Sequence, residues 1–153
     1  MYQASNLIRR TNINLAADGQ YLLAETVILG RHAMGEVVTN ATLMDHRLIR
    51  RAGRPVWAES LHLTSETLSS DDPALLNRAR AFAVVCLVAQ GAEDAVAPLR
   101  EALPDLAVSG WDGKCIARLT AADGWPLKQH LAQVLHFLTG RPLPPVWASG
   151  APQ

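Results

Sequence analysis

Apolar residues recur at strand-like intervals through the first half of the chain and at helical intervals near its end. "NLIRRTNINL" and "AADGQYLLAETVIL" read as two strands, with Asp18-Gly19 supplying the residue types of a tight hairpin turn. After the loop "GRHAMGE", "VVTNATLMDHRLIRR" is a long strand with partial alternation. A turn around Ala52-Gly53-Arg54-Pro55 then leads into "VWAESLHL". Because side chains alternate across a strand, Trp57, Glu59, Leu61 and Leu63 share one face of it.

The polar stretch Thr64 to Asp72 reads as a loop and marks a boundary between two subregions. "AFAVVCLVA", Ala81 to Ala89, is short and apolar on both faces, the pattern of a buried central strand. "EDAVAPLREAL" predicts a short helix with acids early and Arg100 late, as the helix dipole prefers. Pro98 belongs in its first turn or kinks it. "LAVSGW" and "KCIARL" flank Asp112-Gly113, a second hairpin. Leu127, Leu131, Val134, Leu135 and Leu138 define a helix entered at Pro126 and stopped by Gly140 and Pro142. "RPLPPVWASGAPQ" reads as extended. The order, strands first and two helices late, is α+β and mainly β. One domain over residues 1–147 and a disordered tail over 148–153 are expected. The first strand starts with nothing ahead of it to cover an edge, so a further segment or another chain is expected to cover it.

Composition narrows the function classes. The chain of 153 residues has the size of one domain, and 14 basic residues balance 14 acidic ones. No global field draws it to nucleic acid or an anionic membrane. Its apolar runs are too short to cross a bilayer, and "MYQASNLIRR" lacks a signal-peptide core. Two cysteines, Cys86 and Cys115, make no disulfide framework. A cytoplasmic location follows as the simplest expectation.

The stretch "VILGRHAMGEV" spaces Gly30 and Gly35 like the glycines of a phosphate-binding P-loop. The decisive positions hold Glu36 and Val37 instead of lysine and a hydroxyl. A carboxylate repels phosphate and valine offers a metal no oxygen, so the loop is no phosphate cradle. A tight loop shaped by its glycines is the plainer account, with Arg31 and Glu36 as a local ion pair. No two of His32, His46, His62, His130 and His136 have the spacing of a helical ligand pair, so no tight metal site is expected. Cys86 reads as a buried hydrophobe, whereas Cys115 follows a turn and is expected to be more accessible. Arg47, Arg50, Arg51 and Arg54 form the one basic concentration, either a solvated strand end or a docking surface for an acidic partner.

"LGRHAMGE", "RLIRRAGRPVWAESLHL", "SGWDGKCIARLTAADGWPLKQHL" and the closing "LPPVW" occur in this order, and with them the chain resembles the UreD family, called UreH in some bacteria. The resemblance spans about Leu7 to Trp147. It implies layered antiparallel or mixed sheets with two helices in the C-terminal half. It also implies a non-enzymatic role in urease maturation: a scaffold or chaperone that joins UreF, the GTPase UreG and the urease apoprotein, and helps deliver nickel. No cofactor is then tightly bound, and nickel passes transiently. Gly30, Arg31, Gly35 and Glu36 match the family's loop, and Glu36 becomes a candidate for lining a nickel path. Asp112, Gly113 and Arg118 match its hairpin region and are expected to be mostly structural. Arg47, Arg50, Arg51, Arg54 and Trp147 are partner-interface candidates. Family members are longer, and the chain corresponds to their C-terminal half and a little more. The rival readings are a small cytosolic enzyme using Cys115 or His46, and a shortened, non-functional remnant.

Overall fold

The computed structural model describes residues 1–30, 34–72 and 75–148. In it the alternating segments form two sheets. One orders β1 (Asn6–Leu15), β3 (Thr42–Arg51) and β4 (Arg54–Leu63). The other orders β2 (Tyr21–Ile28), β5 (Ala81–Val88), β7 (Lys114–Ala121) and β6 (Ala107–Trp111). β1 runs parallel to β3, and the remaining pairs are antiparallel.

The four-stranded sheet lies in the middle. On β5, Val84, Cys86 and Val88 pack toward the first sheet, while Ala81, Ala83 and Val85 pack toward helices. Covered faces on both sides explain why β5 is apolar throughout. The helical layer consists chiefly of α3 (Gly124–Thr139), whose Leu127, Leu131, Val134 and Leu135 are buried at the expected spacing. Asp123 caps its start by accepting from the Gly124 N–H at 2.5 Å, and Gly140 ends it with φ +61°. A 3-10 turn over Ala92–Ala95 leads into α2 (Val96–Ala102), where Pro98 sits in the first turn. Both two-residue hairpins use consecutive positive φ angles, Ala52 (48°) with Gly53 (78°) and Asp112 (47°) with Gly113 (72°).

Four local expectations are corrected. Asp18-Gly19 lies in a turn, with the Gly19 N–H on Ala16 O at 3.1 Å, but β1 and β2 enter different sheets rather than pairing as a hairpin. Ile13 and Leu15 of β1 and Tyr21 and Leu23 of β2 pack into one core between the sheets, which folds the connection into a corner. The stretch after β4 is not all loop: Ser65–Ser69 form α1, because the Thr64 hydroxyl accepts from the Thr67 N–H at 3.3 Å. Cys115 is 1% exposed, since the helix-side core covers that face of β7. The C-terminal stretch is not wholly extended: Pro145–Ala148 form α4, where the Trp147 N–H reaches Pro144 O at 2.9 Å. Of the expected tail, Ala148 closes α4 and residues 149–153 lie outside the described residues. Among the described residues no helix is long and apolar enough to cross a membrane.

Candidate functional site

Three strands carry a charge in the middle of their inward rows. β2 reads Leu23, Glu25, Val27, and β4 reads Trp57, Glu59, Leu61. On β3 the buried row is Leu43, Asp45, Arg47, Ile49. Arg9 from β1 and Arg118 from β7 join them. The result is a charged belt across the space between the sheets. It separates one apolar cluster around Leu23, Ile49 and Trp57 from another around Val27, Leu43 and Leu63.

The belt alternates in sign. Arg9 forks onto Asp45, with Nε on Oδ1 at 3.0 Å and Nη2 on Oδ2 at 2.5 Å, and Arg9 Nη2 lies 3.1 Å from Glu25 Oε2. Arg47 bonds three carboxylates: Glu25 through Nε, Asp45 through Nη2, and Glu59 through Nη1 at 2.6 Å. Arg118 Nη2 takes the second oxygen of Glu59. Three guanidinium groups therefore meet three carboxylates. Charges this deep are tolerable only when paired and hydrogen-bonded: Asp45 is 0% and Arg47 4% exposed. Arginine suits the centre because its rigid fork serves three acceptors, which a lysine ammonium does less well. The bond to Asp45 holds the Arg9 guanidinium above its ordinary pKa.

The belt reaches solvent at both ends, where the side chains of Arg9 and Arg118 are 30% and 55% exposed. A cavity of about 160 Å³ opens beside it, lined by Glu25, Arg47, Glu59 and Arg118 together with Val27 and Phe82. Arg118 also borders a surface groove of about 380 Å³ between the loop before β6 and α3, with Asp105, His130 and Gln133 among its lining residues. Carboxylate oxygens beside a cavity are ligands that divalent cations accept. Each one here is already engaged by a guanidinium, and no cluster of three His, Cys, Asp or Glu suited to holding a metal occurs among the described residues.

The glycine loop lies apart from the belt. Gly30 has φ +80°, and a Cβ there would sit 2.6 Å from Glu36 O. Gly35, at φ +66°, faces open space. The Glu36 carboxylate accepts the Gln3 N–H at 3.1 Å, and Arg80 donates to the Glu36 carbonyl. Gln3 in turn accepts from the Thr39 and Asn40 N–H groups at 3.0 and 3.2 Å, which ties the loop to the start of the chain. Arg31 and His32, and with them the expected Arg31–Glu36 pair, lie outside the described residues.

The basic cluster is dispersed. Arg47 is interior and belongs to the belt, so it presents no charge on the surface of this chain, contrary to the expected docking role. Its alternation with Leu43 and Ile49 turns it inward, whereas Arg50 lies on the opposite face. Arg51 donates to Gly19 O at 3.1 Å, and Arg54 is exposed at the hairpin. Trp147 packs, partly buried, against the helix-side core. Cys115 and His46 cannot meet: Cys115 faces the helices, while His46 lies on the outer face of the first sheet with Nδ1 2.7 Å from Ser60 Oγ. Burial pushes the Cys115 thiol up and the Cys86 thiol to about 12, the reverse of nucleophile activation. The sequence places Glu59 on one strand face with Trp57, Leu61 and Leu63, and the belt that Glu59 joins emerges only when the strands are brought together.

Comparison with known proteins converges on one family. The family model described as UreD urease accessory protein matches residues 1–148. Proteins named urease accessory protein UreD from Cereibacter sphaeroides and Paracoccus denitrificans are 43% and 39% identical over 152 residues, covering 96% of this chain and 55% and 54% of their own lengths. A protein of the same name from Rhizobium leguminosarum bv. viciae is 35% identical over 151 residues, with 96% and 55% covered. The chain thus spans about half the length of the curated relatives it matches.

Proposed function

The chain belongs to the UreD family of urease accessory proteins, and from that premise we propose that it serves urease maturation as a non-catalytic scaffold in the cytoplasm. It joins the urease apoprotein to UreF and UreG and guides nickel toward the enzyme without holding it tightly. The match over residues 1–148 carries this reading. The physical support is positional: carboxylates of Glu25 and Glu59 face an inter-sheet cavity, and Glu36 is fixed by a backbone N–H at the surface loop. Transfer of a cation favours such dispersed oxygen donors over a closed cage, which would retain it. The deep burial of both thiols argues against cysteine chemistry.

Two assays test the proposal. Tagged chain incubated with UreF, UreG and apo-urease is expected to retain them, and retention of none would contradict the scaffold. Urease activation in cells is expected to fall with Glu36→Ala and further with Glu36→Lys. Unchanged activation with both would remove Glu36 from the nickel path.

A further inference from the structure

β1 is the outermost strand of its sheet, with β3 on one side and, among the described residues, no strand on the other. The Thr42 N–H bonds Ser5 O at 2.9 Å and the Ala52 N–H bonds Leu15 O at 3.0 Å, and the parallel register between them runs without a shift. Alternate residues of a parallel strand bond one neighbour, so the odd-numbered residues here serve β3. Ile8, Arg10, Asn12 and Asn14 therefore aim their backbone N–H and C=O groups at the open edge. None of the ten residues of β1 is buried, and Leu7 and Ile8 are 41% and 55% exposed. By contrast, the edge at β4 carries Pro55 beside a register shift, and at β6 Arg100 donates to Val108 O at 2.8 Å. Such features hinder the addition of a strand, and β1 has neither a proline nor a shift.

We propose that β1 pairs antiparallel with β1 of a second copy of this chain, about a two-fold axis at Thr11. Outward groups must meet outward groups, so even-numbered residues stand opposite even-numbered ones. An axis at Arg9 or Arg10 would set arginine against arginine, and one at Asn12 would push Leu7 and Ile8 past the end of the partner strand. The axis at Thr11 avoids both. It sets Arg10 against Asn12 and Ile8 against Asn14 in hydrogen-bonded pairs, with Leu7 against Leu15 and Thr11 against Thr11 on the inward face. No arginine then opposes its like, Leu7 gains an apolar partner, and threonine meets threonine, all favourable cross-strand pairs. A two-fold contact of this kind closes on itself, so assembly stops at two copies.

The self-pairing stands apart from the role in urease maturation, and its test needs only the purified chain. Sedimentation equilibrium across the micromolar range is expected to show the mass rising from 16.5 kDa towards twice that value. Asn12→Pro removes an outward N–H without touching the β3 ladder, and Asn12→Arg sets a second arginine against Arg10 at an exposed position. Each is expected to raise the dimer dissociation constant by about tenfold or more, since the axis doubles every loss. Arg10→Asp combined with Asn12→Arg is expected to restore pairing. Circular dichroism confirms the fold, and the arginine variant carries the test if proline disturbs the strand. A parent chain that stays at 16.5 kDa overturns the self-pairing and leaves the edge to another polypeptide, such as the part of the longer relatives that this chain does not match. A dimer indifferent to the Asn12 variants, or one that the double variant fails to restore, overturns it as well.

Discussion

Arg47 and Glu59 sit directly opposite each other on β3 and β4, and Arg47 Nη1 donates to Glu59 Oε2 across 2.6 Å in the space between the sheets. In most two-sheet folds such a cross-strand position holds a pair of apolar side chains. Here an ion pair takes it, and Arg47 is the hub through which the belt is neutralised.

Removing that hub leaves Glu25, Asp45 and Glu59 short of a counter-charge in a buried setting. Arg47→Met is expected to destabilise the chain by about 3–5 kcal/mol, and Arg47→Lys by less. Urea denaturation with both variants checks this. A methionine variant as stable as the parent would mean that the belt contributes nothing to holding the sheets together.

The two loop glycines should respond differently. Gly35→Ala meets open space and carries only the left-handed backbone cost, about 1–2 kcal/mol. Gly30→Ala adds a clash with the Glu36 carbonyl at 2.6 Å, a further overpacking cost of about 1–3 kcal/mol. Urea midpoints are expected to rank Gly30→Ala well below Gly35→Ala, and equal midpoints would refute the close approach.

Glu93 links acid stability to the second hairpin. Its own backbone N–H and the Gly113 N–H, at 2.9 Å, hold its carboxyl below the ordinary value. A depressed folded pKa gives stability that is present above the unfolded pKa, roughly 4.3, and lost as pH falls through the folded value. Between pH 6 and pH 3 the parent chain should therefore lose more stability than Glu93→Gln. Parallel losses would show that the hairpin bond has no pH-linked share.

Both thiols are expected to resist modification. The folded Cys86 pKa of about 12 means its neutral form is favoured, so the associated stability is complete below the unfolded pKa and declines as pH rises toward 12. At pH 8 a disulfide reagent should label neither cysteine in folded chain and both in urea. Fast labelling of Cys115 without denaturant would revive a catalytic thiol.

How much of this was legible beforehand depended on whether the signal was local. The helix over Gly124–Thr139, the Asp112-Gly113 hairpin and the apolar strand Ala81–Val88 each announce themselves within a dozen or so residues. The parallel pairing of β1 with β3 has no local signature, because it joins segments separated by an entire strand of the other sheet. The Asp18-Gly19 turn favours the wrong neighbour for the same reason: turn chemistry sets the bend, and burial of Ile13 and Leu23 in one core sets the partner. The belt had a readable sign. Glu25 lies between Leu23 and Val27, the pair Asp45 and Arg47 between Leu43 and Ile49, and Glu59 between Trp57 and Leu61, all at a period of two. A charge inside an apolar alternation on several strands is costly unless matched across the core. A single strand shows no such match, so within its own segment Arg47 looks like one member of a surface basic cluster with Arg50, Arg51 and Arg54.

The central claim is that this chain acts in urease maturation, and nickel content reports on it most directly. Urease subunits are expressed with and without the coding sequence of this chain, alongside UreF and UreG, and the purified enzyme is assayed for bound nickel and activity. Urease made without the chain is expected to be intact protein with little nickel and little activity, both restored when the sequence is returned. Equal nickel and equal activity in the two preparations would contradict the account.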